Sequence, residues 1–178
     1  MRSGLTLFFC LLLWPSVSAG LDFSRGHQAM GEQAHAGFGT MNDLAGIHVE
    51  LANPIGSIYL MLGGHLRGLG VDSWEDGQAA GFVGGFRFFS GGNGLRSSWY
   101  VTGFGGTLGV ERQRESGSRI GYQRLGWGGG LGYQHLTGRA RLGFTLGVSR
   151  LEPVDTLDGD RIDREYVPTL ETTLGIRF

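Results

Sequence analysis

Residues 166–178 read YVPTLETTLGIRF and alternate between two kinds of side chain. Counted back from Phe178, every second residue is apolar or aromatic except Thr172, and the residues between are mostly small or polar, including Glu171 and Arg177. A period of two residues is typical of a β-strand with two different faces. The segment is long enough for a tilted strand to cross a bilayer, which takes about 9–11 residues. It therefore predicts a strand whose apolar face is covered by lipid.

The same alternation recurs upstream and predicts seven further strands, near residues 31–40, 45–51, 58–67, 80–88, 99–112, 124–133 and 141–149. Short connections at 53–56, 90–94 and 135–138 alternate with longer, charged ones at 68–78, 113–118 and 151–164. Outer-membrane barrels have this asymmetry, with short periplasmic turns and longer external loops. The prediction is an all-β fold, an eight-stranded antiparallel transmembrane up-and-down β-barrel.

The first strand is the weakest of the eight in the sequence. An even strand count requires a strand before residue 45, and residues 31–40 supply one if 41–43 form an unusually short external turn. The alternative is a strand near 21–30 followed by a longer first loop.

The two faces of the predicted strands differ in bulk and charge. In a soluble barrel the apolar face would fill the interior, but here the polar face is dominated by glycine, which suits a narrow eight-stranded interior. On the strand at 99–112, we expect Phe104, Leu108 and Val110 to face lipid. Eight charged residues are predicted to point into the lumen and pair there, because isolated buried charge is costly: Glu50, Arg67, Arg87, Glu111, Arg124, Arg141, Glu171 and Arg177.

The amino terminus resembles a secretory signal peptide. Arg2 precedes the apolar run Leu5–Trp14, and Val17-Ser18-Ala19 offers a small-residue cleavage site. The run is too short for a membrane-spanning helix. Bulky residues before Cys10 disfavour a lipoprotein. We predict a signal peptide over 1–19 and a barrel domain over 20–178, which would contain no cysteine.

Composition limits the classes of function. The chain of 178 residues suits one domain, and its 35 glycines show no collagen-like period. All 15 basic residues are arginine and the net charge is −1, so nothing indicates a nucleic-acid partner.

On these strands and connections, the whole mature chain resembles the small eight-stranded outer-membrane barrels of Gram-negative bacteria, of the OmpX and OmpA membrane-domain type. The pattern Leu170, Leu174, Ile176, Phe178 resembles the carboxyl-terminal signal that the barrel-assembly machinery recognises. The glycine-rich segment 51–64 is similar to the YfaZ-type barrels, a family of unknown function. The resemblance implies an outer-membrane protein, porin-like in architecture, with both termini in the periplasm.

Two short motifs resemble parts of outer-membrane enzymes. His135-Leu136-Thr137 is similar to the His-x-Ser arrangement of PagL-type lipid A deacylases, with threonine for serine and in a predicted periplasmic turn. Asp72-Ser73, in the loop after His65, resembles the acid and serine of PagP-type acyltransferases. A serine hydrolase needs its nucleophile, base and acid within reach of one another.

Three other groups have a structural interpretation. His48, Glu50, His65 and Arg67 are predicted to form one lumenal polar cluster, with a metal site as the alternative. The acidic loop 155–165 lacks the regular ligand spacing of an EF-hand, although a weak divalent-cation contact or arginine contacts to lipopolysaccharide phosphates remain open. The glycine runs at 103–106 and 126–130 precede no helix and are read as strand rather than nucleotide-binding loops.

The sequence assigns no catalytic, cofactor-binding or metal-ligating residue. It predicts a non-enzymatic, monomeric outer-membrane protein with a structural role, or a surface interaction through its external loops. The expected partners are outer-membrane lipids, lipopolysaccharide and, through Phe178, the barrel-assembly machinery. The alternatives are an outer-leaflet lipid-modifying enzyme and a narrow gated pore.

Overall fold

A computed structural model describes residues 33–178 of the chain, with gaps at 67–68, 70, 75–79, 93, 116–117, 157–158 and 160. The predicted signal peptide and the alternative first strand at 21–30 lie outside the described residues. Eight long strands make up most of the described chain: β1 (Gln33–Met41), β2 (Leu44–Ala52), β3 (Gly56–His65), β4 (Ala80–Phe89), β5 (Ser98–Glu115), β6 (Ser118–Thr137), β7 (Ala140–Leu151) and β8 (Glu165–Arg177).

The strands form a closed antiparallel barrel. Each strand pairs with the next along the chain, and β1 pairs with β8, where Phe38 lies opposite Leu174. The strands are staggered around the barrel. If one starts at Arg177 on β8 and moves from each residue to its cross-strand partner, one returns to β8 at Val167, ten residues from the start. Such a stagger accompanies strands that tilt by about 35–45°. The predicted eight-stranded antiparallel all-β barrel is confirmed. No helix in the described residues is long and apolar enough to cross a membrane.

The two ends of the barrel carry different connections. The turn rim holds the connections 53–55, 90–97 and 138–139, together with Gln33 and Phe178. The loop rim holds the connections 42–43, 66–79, 116–117 and 152–164. A two-stranded ribbon, Val154–Asp155 with Arg161–Ile162, lies within the last of these.

β1 occupies residues 33–41, which confirms the prediction of a strand near 31–40. It is joined to β2 by Asn42 and Asp43 alone, and Asn42 has a positive φ of 54°. Asparagine tolerates this left-handed conformation better than most residues, so a two-residue connection is possible here.

Large apolar side chains face outward on all eight strands. Their inward neighbours are glycines, hydroxyl-bearing residues and buried charges, as period-two alternation requires. The wall therefore has a polar-containing interior and an apolar exterior, illustrated by one exposed residue from each strand in order: Phe38, Ile47, Leu62, Phe82, Val101, Leu131, Leu146 and Leu174.

The predicted facing of β5 is wrong. Trp99 is 65% exposed and Tyr100 only 2%, so Phe104 points into the lumen, where it is buried. The outward positions there are Gly103 and Gly105. The ring of Phe86 lies over Gly103, since a Cβ at that glycine would come 2.6 Å from the ring. A neighbour's aromatic ring thus supplies apolar outward surface where β5 has no side chain.

A bulge changes β5 beyond this point. The register with β6 shifts between Thr107 and Gly109, which inserts Leu108 as an extra residue. Leu108 and Val110, predicted to face lipid, are both buried. The bulge shifts the alternation of the two strand faces, and the sequence pattern shows no sign of this shift.

β5 and β6 pair from Ser98 with Gln134 to Glu115 with Ser118, so the predicted loop at 113–118 is wrong for 113–115 and 118, whereas 116–117 lie outside the described residues. β5 pairs with β4 only as far as Gly106, and β6 with β7 only from Gly126. The remainder extends past the wall as a two-stranded hairpin. Near the wall this hairpin is still packed, since Leu108, Val110 and Tyr122 are buried.

Two described residues of the segment after β3 contact β6 at the loop rim. Ser73 and Trp74 pair in parallel with Ile120 and Gly121, on the edge of β6 that β7 leaves free. The Trp74 ring lies 6.4 Å from that of His65, an inward residue at the end of β3. Trp74 therefore lies over the lumen.

Candidate functional site

An ionic network of two arginines and two glutamates occupies the lumen. Arg87 donates through Nη1 to Glu50 Oε2 and through Nη2 to Glu171 Oε1. Arg141 donates through Nη2 to Glu50 Oε1 at 2.8 Å, and its Nη1 lies 2.5 Å from Oε2. All four side chains are buried and their formal charges cancel. Pairing of this kind offsets the large cost of removing charges from water.

Two tyrosines hold the Arg87 guanidinium between them. Its central carbon lies 4.4 Å from the ring centroid of Tyr59 and 4.9 Å from that of Tyr100. Such cation–π contacts strengthen when desolvated. Thr145 Oγ1 donates to Glu171 Oε2 at 2.6 Å and lies 2.9 Å from the Tyr100 hydroxyl, which is left to act as the donor. Arg87 is therefore fixed by two carboxylates and two rings at once.

Glycines in the wall make room for these rings. A Cβ at Gly85 would lie 2.6 Å from the Tyr59 hydroxyl, and one at Gly132 would lie 2.3 Å from Tyr100 Cζ. Each ring lies against a neighbouring strand at a position without a side chain. The high glycine content thus has a specific role, because it lets aromatic rings fit inside a narrow barrel.

The predicted set of lumenal charges is partly confirmed. Glu50, Arg87, Arg124, Arg141 and Glu171 are buried, whereas Glu111 and Arg177 are only half-buried. The side chain of Arg67 lies outside the described residues. Arg124 belongs to the loop rim, where its Nη1 donates to Glu165 at 3.1 Å and its Nη2 to the Asp163 carbonyl at 2.6 Å.

An apolar layer fills the lumen between the ionic network and the loop rim. On each strand that contributes to both, the apolar residue lies nearer the loop rim: Met61 beyond Tyr59, Val83 beyond Arg87, and Val167 beyond Glu171. The layer contains Met41, Leu44, Met61, Val83, Phe104, Leu108 and Leu151, with the Tyr59 ring at its border. The lumen is filled by side chains along both of these layers.

The predicted cluster of His48, Glu50, His65 and Arg67 is not a single cluster. His48 Nε2 lies 3.6 Å from Glu50 Oε2, within the ionic network. His65 lies at the loop-rim end of the apolar layer, where it pairs with Leu44. Leu44 is four positions from His48 along β2, so the two histidines belong to different parts of the lumen.

His65 has an acidic partner that the sequence did not suggest. Its Nδ1 lies 3.3 Å from Asp43 Oδ1, and both side chains are buried. A Cβ at Gly81 would lie 2.5 Å from His65 Nε2 and 2.4 Å from Thr107 Oγ1. An acid, a histidine and a hydroxyl are therefore close together beneath Trp74.

Thr107 is nevertheless already committed to the backbone. Its Oγ1 accepts the Phe82 N–H at 2.7 Å and donates to the Phe82 carbonyl at 3.1 Å. The hydroxyl proton that a histidine base would remove is thus already used. The geometry here is that of a strand-end cap, and it supplies no activated nucleophile.

The two enzyme-like motifs are placed apart from this group. The Asp72 carboxylate accepts the Arg119 N–H at 2.7 Å, and His65 is paired with Asp43 instead. At the turn rim, His135 Nε2 lies 2.8 Å from Thr137 Oγ1, and both residues lie towards solvent. Among the described residues, no carboxylate contacts His135.

The acidic connection at the loop rim is paired with arginine. Asp155 lies 3.7 Å from Arg161, and Glu165 contacts Arg124. Within the described residues, no group of three or more histidine, cysteine or acidic side chains is arranged to hold a metal ion. The glycine runs at 103–106 and 126–130 lie in β5 and β6, as predicted.

The class that this fold and interior define is a closed, eight-stranded antiparallel β-barrel with a packed, charge-paired lumen. The chain was compared with family models, with curated proteins and with solved structures, and none of them matches it.

Proposed function

We propose that this protein is an integral outer-membrane β-barrel with a sealed lumen, which acts through its loop rim rather than as a channel. One observation carries the proposal: the outward face is apolar on all eight strands, while the buried charges lie inside. Soluble monomers rarely expose contiguous apolar patches beyond a few hundred Å². A lipid bilayer would cover such a surface.

Aromatic side chains near both rims support the same placement. Trp99 and Tyr133 lie together towards the turn rim, with ring centroids 5.2 Å apart, and Phe178 is exposed at the same rim beside β1. Trp127 and Tyr166 are exposed towards the loop rim. Outer-membrane barrels carry aromatic girdles at both interfaces of an apolar band about 25 Å tall.

This placement puts the termini and short turns in the periplasm and the projecting hairpin outside. The proposed type is that of OmpX and the OmpA membrane domain, with lipopolysaccharide and outer-membrane lipids as neighbours. The exposed carboxyl-terminal face, from Leu170 to Phe178, would serve as the signal to the barrel-assembly machinery. The role of the loop rim would be structural or an interaction at the cell surface.

A matched pair of substitutions tests whether lipid covers the wall. Leu146 is 59% exposed on β7, and Ile55 is 69% exposed in a connection at the turn rim. In a bilayer, Leu146→Arg should cost about 2–4 kcal/mol because the arginine enters hydrocarbon, whereas Ile55→Arg should be tolerated. In a soluble barrel both arginines would face water.

The readout is membrane fractionation of the full chain in a Gram-negative host, with a gel-mobility shift that depends on boiling. We expect wild type and Ile55→Arg in the outer-membrane fraction and loss of the folded band for Leu146→Arg. Equal behaviour of both variants, or recovery of soluble folded wild type from the periplasm, would overturn the proposal.

Planar-bilayer recordings test the sealed lumen separately. The inserted protein should give no ion conductance, because both the ionic network and the apolar layer fill the lumen. Regular single-channel steps from the wild type would refute that part of the proposal and favour a pore.

A further inference from the structure

Arg150 is unusual in its position on the barrel wall. It lies on the outward face of β7, at the loop rim, and it is the one arginine or acidic residue on the outward face of the described wall. Its cross-strand partners are Trp127 on β6 and Tyr166 on β8. A cation with an aromatic residue on each side therefore marks the edge of the apolar surface.

The Arg150 guanidinium is only partly neutralised. Its central carbon lies 5.5 Å from the Trp127 ring centroid, and its side chain is 24% exposed. The nearest carboxylate oxygen, on Glu152, is 3.6 Å away. Ring contact orients the guanidinium, while N–H groups remain for a further acceptor.

A second arginine shares the same carboxylate. Arg164 Nη2 lies 3.3 Å from Glu152 Oε2, and its side chain is half exposed. Two positive charges thus meet one negative charge at this point of the rim. The forked donors of these two arginines suit a phosphate group.

The wall next to Arg150 on the membrane side is uncharged. The next outward positions towards the turn rim are Val148 and its cross-strand partners Gly129 and Pro168. A ligand with an anionic head at Arg150 could therefore lay an apolar chain along them. A membrane lipid has these two parts in this order.

We propose that Trp127, Arg150, Tyr166 and Arg164 form a binding site for the phosphate of a lipid headgroup, with an acyl chain lying over Gly129, Val148 and Pro168. The site rests on the proposed membrane location of the barrel. Its ligand is a lipid of the leaflet at the loop rim.

The test uses lipids with brominated acyl chains, which quench a nearby tryptophan. The mature chain with Trp74→Phe and Trp99→Phe keeps Trp127 as its reporter. It is refolded into phosphatidylcholine vesicles in which a fraction of the lipid is brominated phosphatidic acid or, in parallel, brominated phosphatidylcholine. We expect phosphatidic acid to be preferred by about fivefold, since one arginine near a membrane surface contributes about 1 kcal/mol.

Arg150→Ala should abolish this preference, and Arg150→Lys should retain part of it. Arg139→Ala is the matched control, because Arg139 is exposed in the opposite, turn rim, and it should behave like the parent protein. Equal quenching by the two lipids in the parent protein would overturn the site. Loss of the preference on adding millimolar inorganic phosphate would overturn the assignment to a lipid.

The same measurement separates this site from the membrane proposal. Quenching by brominated phosphatidylcholine alone reports that Trp127 lies in the bilayer. If that quenching is absent, both proposals fail. If it is present without a preference for phosphatidic acid, only the site fails.

Discussion

The same barrel encloses two layers of side chains, one charged and one apolar. Towards the turn rim, Arg87 is enclosed by Glu50, Glu171 and two tyrosine rings. Towards the loop rim, residues such as Met61 and Leu108 pack without polar partners. The ionic layer depends on every charge having its partner, whereas the apolar layer depends on volume alone. The two should therefore respond differently to substitution.

Arg87→Met should produce the largest loss of stability. It removes the cation shared by Glu50 and Glu171, so that Glu50 keeps Arg141 while Glu171 loses its arginine partner. Breaking a buried ion pair typically costs about 3–5 kcal/mol. Urea unfolding of the protein refolded in lipid vesicles or detergent, followed by gel mobility, measures the change. Arg139→Met, in an exposed turn, is the control.

A double variant tests the origin of that loss. If the cost comes from an unpaired carboxylate, Arg87→Met combined with Glu171→Gln should be less destabilising than the sum of the two single changes. Simple additivity would mean that the network acts as independent contacts and would contradict our account.

Met61→Ala tests the apolar layer and should cost somewhat less, about 2–4 kcal/mol. The lost side chain leaves a cavity that its packed neighbours cannot fill completely. Leu62→Ala is the matched control one residue away, since Leu62 faces outward. Lipid chains can occupy the space that Leu62 leaves, so its cost should be smaller. An equal cost at both positions would show that the layer is not tightly packed.

Gly132→Ala should damage the ionic layer through volume rather than charge. The new Cβ would meet the Tyr100 ring at 2.3 Å, so that the ring must move away from Arg87. We expect a loss of about 1–3 kcal/mol, as for other overpacked sites. At Gly64 a Cβ meets nothing within 4 Å, and Gly64→Ala should leave unfolding unchanged. A harmless Gly132→Ala would mean that Tyr100 has no fixed place in the network.

The barrel could be predicted from sequence because period-two alternation is a local signal. A lipid-facing wall requires apolar residues at every outward position, and β7 satisfies this throughout, from Leu142 to Val148. The alternation of short and long connections then required an even number of strands, and this located the weak strand β1. Inward facing was predicted correctly for Glu50, Arg87 and Arg141 on the same basis.

The pairing inside the lumen could not be predicted in the same way. Which carboxylate meets Arg87 depends on the stagger of the closed barrel, and it brings together residues from β2, β4 and β8. Asp43 lies in the predicted turn, but its contact with His65 could not be predicted because the two residues are 22 positions apart in the chain. On β5, the sequence could not show which face points outward. The outward positions are glycines, and the ring that covers Gly103 belongs to a different strand.

Thr107 should give the smallest loss of stability. It lies where the apolar layer depends on one polar contact. The β4–β5 ladder ends at Gly106, and the Thr107 hydroxyl then replaces a strand partner for the Phe82 N–H and carbonyl. Thr107→Val keeps the shape but leaves both backbone groups without that partner, which should cost about 1–2 kcal/mol. Thr107→Ser keeps the hydroxyl and should recover most of this loss. Urea unfolding compares the three proteins, and destabilisation by serine but not by valine would show that the methyl group, and not the hydroxyl, is what this position requires.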